Sequence, residues 1–167
     1  MIPRIRKVLY ATDLSENSAY AFRYAINTAE KHNAKIVILH VIDELSPNIR
    51  IALDTIMTDR KRESLRKQAI EVIEARLRVI CEKELAGRPE CMDMIDSVMV
   101  LEGYPAEEIL KQADRLNCDV IIMGTHGKGW ATHAFLGSVA ERVLRRTRKP
   151  VFIIPLPGEE TDITFKV

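Results

Sequence analysis

Ile36-Val37-Ile38-Leu39-His40-Val41-Ile42 is the stretch on which the fold turns. A strand with one wet face alternates apolar and polar residues. A near-continuous apolar run such as this one is expected of a strand covered on both faces by helices, at the centre of a parallel sheet. Upstream, Ile5 to Tyr10 is another apolar, β-favouring run, and Asp13 and Ser15 then offer two candidate helix N-caps. Ala19, Phe22, Ile26 and Ala29 recur at helical spacing until Asn33, which predicts a helix over Ser15 to His32.

Downstream the alternation continues. Residues 47–65 carry no decisive pattern, but Leu65, Ala69, Val72, Ile73, Leu77 and Ile80 mark a helix whose opposite face is highly charged. Gly87 and Pro89 end it, and Ile95 to Leu101 form a third strand. Pro105, at a first helical position, opens a helix carrying Ile109, Leu110, Ala113 and Leu116. Val120 to Met123 is a fourth strand, and a glycine-bearing loop runs from Gly124 to Gly137. Val139, Ala140, Val143 and Leu144 mark a last helix, and Pro150 separates it from a fifth strand, Val151 to Ile154. Strands alternating with helices from end to end imply right-handed crossovers, a five-stranded parallel sheet and a three-layer α/β/α sandwich. With 167 residues, one domain over 1–157 is expected, followed by a tail, 158–167, in which Ile163, Phe165 and Val167 alternate with polar residues.

Composition removes several classes of function. A net charge of +1, from 25 basic and 24 acidic residues, provides no general field for nucleic acid or an anionic membrane, so any anion must be held locally. The basic residues Arg4, Arg6 and Lys7 precede an apolar stretch too short for a signal-peptide core, and no run reaches membrane-spanning length, so a cytoplasmic location is expected. Cys81, Cys91 and Cys118 are odd in number and lack a CxxC pair, which argues against a disulfide framework and a zinc site and favours buried thiols.

Ligands of open parallel sheets bind beyond the carboxyl ends of the strands, where the winding reverses. The segments there are Ala11-Thr12-Asp13, Asp43-Glu44, Glu102-Gly103 and the glycine loop. The loop begins Met123-Gly124-Thr125-His126-Gly127-Lys128 and ends in Gly137-Ser138-Val139. Glycines let backbone approach a ligand, and amides exposed at a helix start favour phosphate oxygens. Ser138-Val139-Ala140-Glu141 also reads as a capping box, and Asp13 equally as a plain N-cap. His126 is a lone histidine to which His133 gives no metal-ligand spacing, and Trp130 and Phe135 fit either a lid or a partner surface.

On these residues the chain resembles the ATP-binding branch of the universal stress protein family, whose pattern Gly-x2-Gly-x9-Gly-(Ser/Thr) is matched by Gly124, Gly127, Gly137 and Ser138. Thr12-Asp13-Leu14-Ser15, Gly103-x-Pro105 and Lys149-Pro150-Val151 agree with it, so the resemblance covers nearly the whole chain. It implies strand order 3-2-1-4-5 and ATP, with Mg2+ or Mn2+, at the carboxyl end of the sheet. Ala11 and Thr12 would lead into Asp13 beside the ribose or phosphates, and the backbone near Val41 would read the adenine edge. Met123 and Gly124 would flank the nucleoside. Gly127, Gly137, Ser138 and Val139 would wrap the phosphates, with Lys128 nearby. The resemblance also implies a homodimer through the last strand, and Val151 to Ile154 is an apolar sheet edge of the kind that invites pairing.

Other readings of the same fold lose ground. No GxxxxGK[ST] occurs, and Gly127-x-Gly129 lacks the third glycine of a dinucleotide fingerprint. A phosphate-accepting receiver needs Asp where this chain has Glu102, and an adenylating enzyme needs glycines where it has Ala11-Thr12-Asp13-Leu14. No catalytic arrangement of nucleophile and base is visible and no metal ligands are assigned. The expected function is a nucleotide-dependent stress sensor or regulator acting on a protein partner, and the alternatives are a nucleotide-free dimeric adaptor and a slow ATPase.

Overall fold

The computed structural model describes residues 2–125 and 136–155. Five parallel strands are ordered β3-β2-β1-β4-β5, in agreement with the expected 3-2-1-4-5. They are β1 (Lys7–Thr12), β2 (Lys35–Asp43), β3 (Ile95–Gly103), β4 (Val120–Gly124) and β5 (Val151–Ile154). The helices are α1 (Glu16–His32), α2 (Pro47–Ile56), α3 (Asp59–Glu84), α4 (Pro105–Arg115) and α5 (Ser138–Arg146), with a 3-10 segment over Pro89–Met94.

Side-chain alternation along the strands divides the core into two layers. On one face Val8, Tyr10, Ile36, Ile38, Val120 and Ile122 pack with Ala21, Phe22 and Ala25 of α1 and Leu77 and Cys81 of α3. On the other, Leu9, Val37, Leu39, Ile121 and Met123 pack with Ile109 and Ala113 of α4 and Ala140 and Val143 of α5. β2 lies inside the sheet between β3 and β1, the central strand being β1. β2 is buried on both sides, as its apolar run requires, and Ile36, Val37 and Ile38 are sealed from solvent.

Several boundaries move. β1 extends to Thr12, not Tyr10, because its register with β2 runs from Lys7 opposite Lys35 to Thr12 opposite His40. Ala11 and Thr12 are thus the last strand residues, and Asp13 is the first residue beyond. The residues 47–65, without decisive pattern, form α2 and the start of α3. Ser46 and Thr58 cap these helices by accepting from the amides of Ile49 and Lys61. Arg62 of α3 reaches back to Asp54 of α2 and also pairs with Asp59 on its own helix. α2 carries Ile49, Leu53 and Ile56 at helical spacing but fully buries none of them. α3 ends at Glu84, before Gly87.

All three cysteines are free and buried. Burial pushes the Cys81 and Cys118 thiols up to about 11, which keeps them protonated and unreactive at neutral pH. Among the described residues, no helix is long and apolar enough to cross a membrane.

Candidate functional site: a cavity at the carboxyl end of the sheet

The site begins with how β1 ends. Thr12 turns its hydroxyl inward, donating to Ser18 Oγ at 2.9 Å and accepting from the Leu14 amide at 3.1 Å. Leu14 takes a left-handed conformation, φ 66°, which costs a non-glycine residue about 1–2 kcal/mol. The Asp13 carboxylate accepts from the Ser15 amide at 3.0 Å and from its hydroxyl at 2.6 Å. Of the two candidate caps, Ser15 is the N-cap of α1, accepting from the Ser18 amide. Asp13 braces that cap and lines the cavity beyond it.

Below this turn lies a buried hydroxyl chain. Ser18 Oγ donates to the Ser15 carbonyl at 2.9 Å, and the Tyr10 hydroxyl donates to the Ser18 carbonyl at 2.5 Å. Burial, the largest influence, raises the Tyr10 phenol well above its ordinary range, so it serves as a fixed donor.

Two glycines allow close approaches here. Gly103 has φ 155°, and a Cβ on it would stand 3.0 Å from Glu108 Cγ; this turn aims α4, and with it Pro105 and Ile109, at the cavity. The Glu108 carboxyl is held below its usual range, chiefly by the hydrogen bond from Gln112. At Gly124 a Cβ would stand 3.0 Å from Asn17 Nδ2. That glycine lets α1 press against the end of β4, and it also lines the cavity.

The base of the glycine loop is pinned. The Thr125 amide donates to the Ile154 carbonyl at 3.1 Å and the Gly137 amide to the Thr125 carbonyl at 2.7 Å. Gly137, not Ser138, is the N-cap of α5, so the capping-box reading is corrected. With the helix starting at Ser138, Glu141 falls one position beyond the box and pairs instead with Arg145 at 2.8 Å. A glycine cap supplies no side-chain acceptor. Among the described residues none meets the first amides of α5, those of Ser138, Val139 and Ala140.

These parts enclose a cavity of about 520 Å³, within the roughly 300–1,000 Å³ usual for small-ligand sites. Ala11, Thr12, Asp13, Val41, Met123, Gly124, Gly137, Ser138 and Val139 all line it, so the structure brings together nine of the eleven residues singled out in the sequence. The other two, Gly127 and Lys128, lie outside the described residues, as do His126, Trp130, His133, Phe135 and the tail. The cavity's apolar lining includes Leu39, Val41, Pro105, Ile109 and Met123, and its polar lining is Thr12, Asp13, Ser18, His40, Asp43, Thr125 and Ser138.

The register at β2 explains the opening at Val41. Pairing with β1 stops at His40, whereas pairing with β3 continues to Asp43 opposite Gly103. Val41 and its successors therefore form a ledge beyond the end of β1. Sequence reasoning missed His40, Asn17, Ser18, Pro105, Ile109 and Thr125 as members of the site or its support. A histidine inside an otherwise apolar interior strand was the available signal for the first.

With the geometry in view, comparison with known proteins is decisive on ancestry. The family model for the Universal stress protein family matches residues 4–155. The chain belongs to that family. Universal stress protein MJ0531 of Methanocaldococcus jannaschii is 30% identical over 155 residues, covering 93% of this chain and 85% of the relative. The solved structure of MJ0577, a universal stress protein of the same organism, is 28% identical. It covers 94% of this chain and 100% of its own, with a TM-score of 0.72. A universal stress protein solved in complex with cAMP shares the fold at a TM-score of 0.61 and 23% identity, covering 91% of this chain and 98% of its own.

As a universal stress protein, this chain keeps the family's parallel sheet with helices on both faces. Among the described residues, no group of three His, Cys, Asp or Glu is placed to hold a metal ion.

Proposed function

We propose that this universal stress protein binds ATP in the cavity and works as a nucleotide-dependent regulator. The observation that carries the reading is the start of α5. A helix N-terminus capped by glycine presents the amides of Ser138, Val139 and Ala140 at a cavity that is also lined by the apolar Leu39, Val41, Pro105, Ile109 and Met123. Free amides at the positive end of a helix dipole suit phosphate oxygens, and an apolar slot suits a purine. The Val41 ledge offers main-chain groups to the base edge, and Met123 and Gly124 flank the nucleoside. Asp13 stands by the sugar or phosphates. Gly127 and Lys128 complete the phosphate cradle in this reading. The complex with cAMP, and a universal stress protein from Archaeoglobus fulgidus in complex with dAMP, are examples of adenine nucleotides held by proteins of this fold.

A divalent ion, Mg2+ or Mn2+, enters with the phosphates, because such ions are commonly held by one or two carboxylates together with substrate oxygens. Asp13, which lines the cavity at the end of β1, supplies the carboxylate in this reading. Turnover is absent or slow in this proposal, and occupancy of the site, through its differential affinity for two conformations, is the output to a protein partner in the cytoplasm. A second copy pairs along β5, at the described edge of the sheet, where Phe152 is 39% exposed.

The test is to denature the purified chain and assay the supernatant for adenine nucleotide, and to measure melting with and without millimolar MgATP. Ligand at a hundred times its Kd stabilises by about 2.7 kcal/mol, so a clear rise in melting temperature is expected. No released nucleotide and no thermal shift would leave the nucleotide-free adaptor as the better reading. Steady phosphate release abolished by replacing Gly127 with a bulky residue would favour an ATPase.

A further inference from the structure

His40 has no role in the nucleotide reading above, yet it is the one charged or titratable side chain in the interior of β2's apolar run. It is 9% exposed and lines the cavity. Its Nδ1 lies 2.8 Å from the main-chain carbonyl oxygen of Thr12. A carbonyl only accepts, so Nδ1 carries the hydrogen, and in that tautomer Nε2 is a bare acceptor. No hydrogen-bonding partner meets Nε2 among the described residues, and the atom is not sealed inside protein. Nε2 therefore opens on the cavity with no protein donor on it, and a ligand seated there can supply one in place of water.

Alternation along β2 fixes the direction of approach. Leu39 and Val41 face the α4 and α5 layer, and Ile42 faces the α1 and α3 layer, so His40 reaches the cavity from the face opposite Val41. Ser18 of α1 and Ile73 of α3 line the cavity on that side.

We propose that His40 is a specificity-determining residue: its Nε2 accepts a hydrogen bond from an O–H or N–H donor of the ligand, while the Thr12 carbonyl locks the accepting tautomer. This rests on the nucleotide reading and deepens it. On an adenine nucleotide the groups with that chemistry are the sugar hydroxyls and the exocyclic amine. Phosphate oxygens are acceptors and are disfavoured beside a bare Nε2. His40 therefore directs the sugar and base toward β2 and leaves the phosphates to the start of α5. The same carbonyl bond ties the end of β1, and with it the Asp13 turn, to the ring that reads the ligand.

Two variants separate these duties. In His40→Asn the amide nitrogen can replace Nδ1 on the Thr12 carbonyl, but nothing stands where Nε2 was. In His40→Gln a polar terminus reaches the Nε2 position without the Nδ1 donor. Calorimetric titration at neutral pH with ATP, 2′-deoxyATP, 3′-deoxyATP and inosine triphosphate should show the wild type preferring ATP over at least one analogue by about three- to tenfold. His40→Asn should lose that preference while melting close to the wild type, and His40→Gln should keep part of it. A deoxy analogue as the poor ligand assigns the donor to the sugar, and inosine triphosphate assigns it to the base. Nitrogen-15 NMR of the wild-type imidazole gives an independent reading: Nδ1 protonated, Nε2 unprotonated, and the Nε2 resonance moving when ATP is added. An unprotonated Nδ1, or undiminished discrimination in His40→Asn, overturns the assignment and leaves nucleotide binding standing. No binding of any adenine nucleotide by the wild type overturns both.

Discussion

Replacing Gly124 with alanine tests whether this glycine serves the packing of α1. An alanine Cβ would stand 3.0 Å from Asn17 Nδ2, 3.1 Å from its Cγ and 3.3 Å from its Oδ1. Comfortable contact begins near 3.5 Å, so the amide must retreat by about 0.5 Å. Asn17 is 5% exposed and donates to Thr125 Oγ1 at 3.3 Å, so retreat strains both the packing and that bond. Overpacking of this kind costs about 1–3 kcal/mol. For a chain of this size each kcal/mol lowers the melting temperature by roughly 2–4 °C, giving an expected fall of about 2–12 °C. The assay is thermal and urea unfolding of the single variants Gly124→Ala and Asn17→Ala and of the double variant. Removing the Asn17 side chain should restore most of what the added methyl takes away, an interaction energy of at least about 0.5 kcal/mol. A Gly124→Ala melt within 1 °C of wild type (about the error of the assay), or strictly additive single variants, would refute the packing account.

Alkaline pH should weaken the fold through its buried thiols. Cys81 and Cys118 lose protons near 11 in the folded chain and near 9.0 when unfolded, so between those values the unfolded state binds fewer protons and stability falls as pH rises. The slope contributed is at most about 1.4 kcal/mol per pH unit per thiol, and urea unfolding of a Cys81→Ala/Cys118→Ala variant between pH 8 and 10 should show a flatter decline. An unchanged slope would count against protected thiols. For assembly, sedimentation at micromolar concentration should give a dimer for the wild type and a monomer for Phe152→Lys, whose charge would meet its copy across β5; a wild-type monomer, or a dimer indifferent to that substitution, rules out pairing there.

Much of this molecule was legible in its sequence because parallel sheets write themselves in composition. The Ile36 to Ile42 run has to be covered on both faces, and each later strand is bounded by a proline or glycine that marks where it stops, so layers and alternation follow from local physics. The glycine loop and Asp13 were legible for the same reason, since they fall at strand ends, where ligands of such sheets bind. Strand order was not a local matter. It came through the resemblance to a family, and the register of β1 with β2 and β4 is what realises it. Helix α2 carries Ile49, Leu53 and Ile56 at helical spacing, but at ten residues it is short and none of the three is fully buried, so nothing in the core marks it out. Ser138 was read as a cap because sequence cannot say at which residue a helix begins, and a shift of one residue hands the cap to Gly137 and leaves the α5 amides to the cavity. Gly124 answers to Asn17, and His40 to Thr12, across 107 and 28 positions of chain. Pairings of that kind exist only once the sheet has closed, because they depend on which strand ends meet, and no spacing along the chain encodes them.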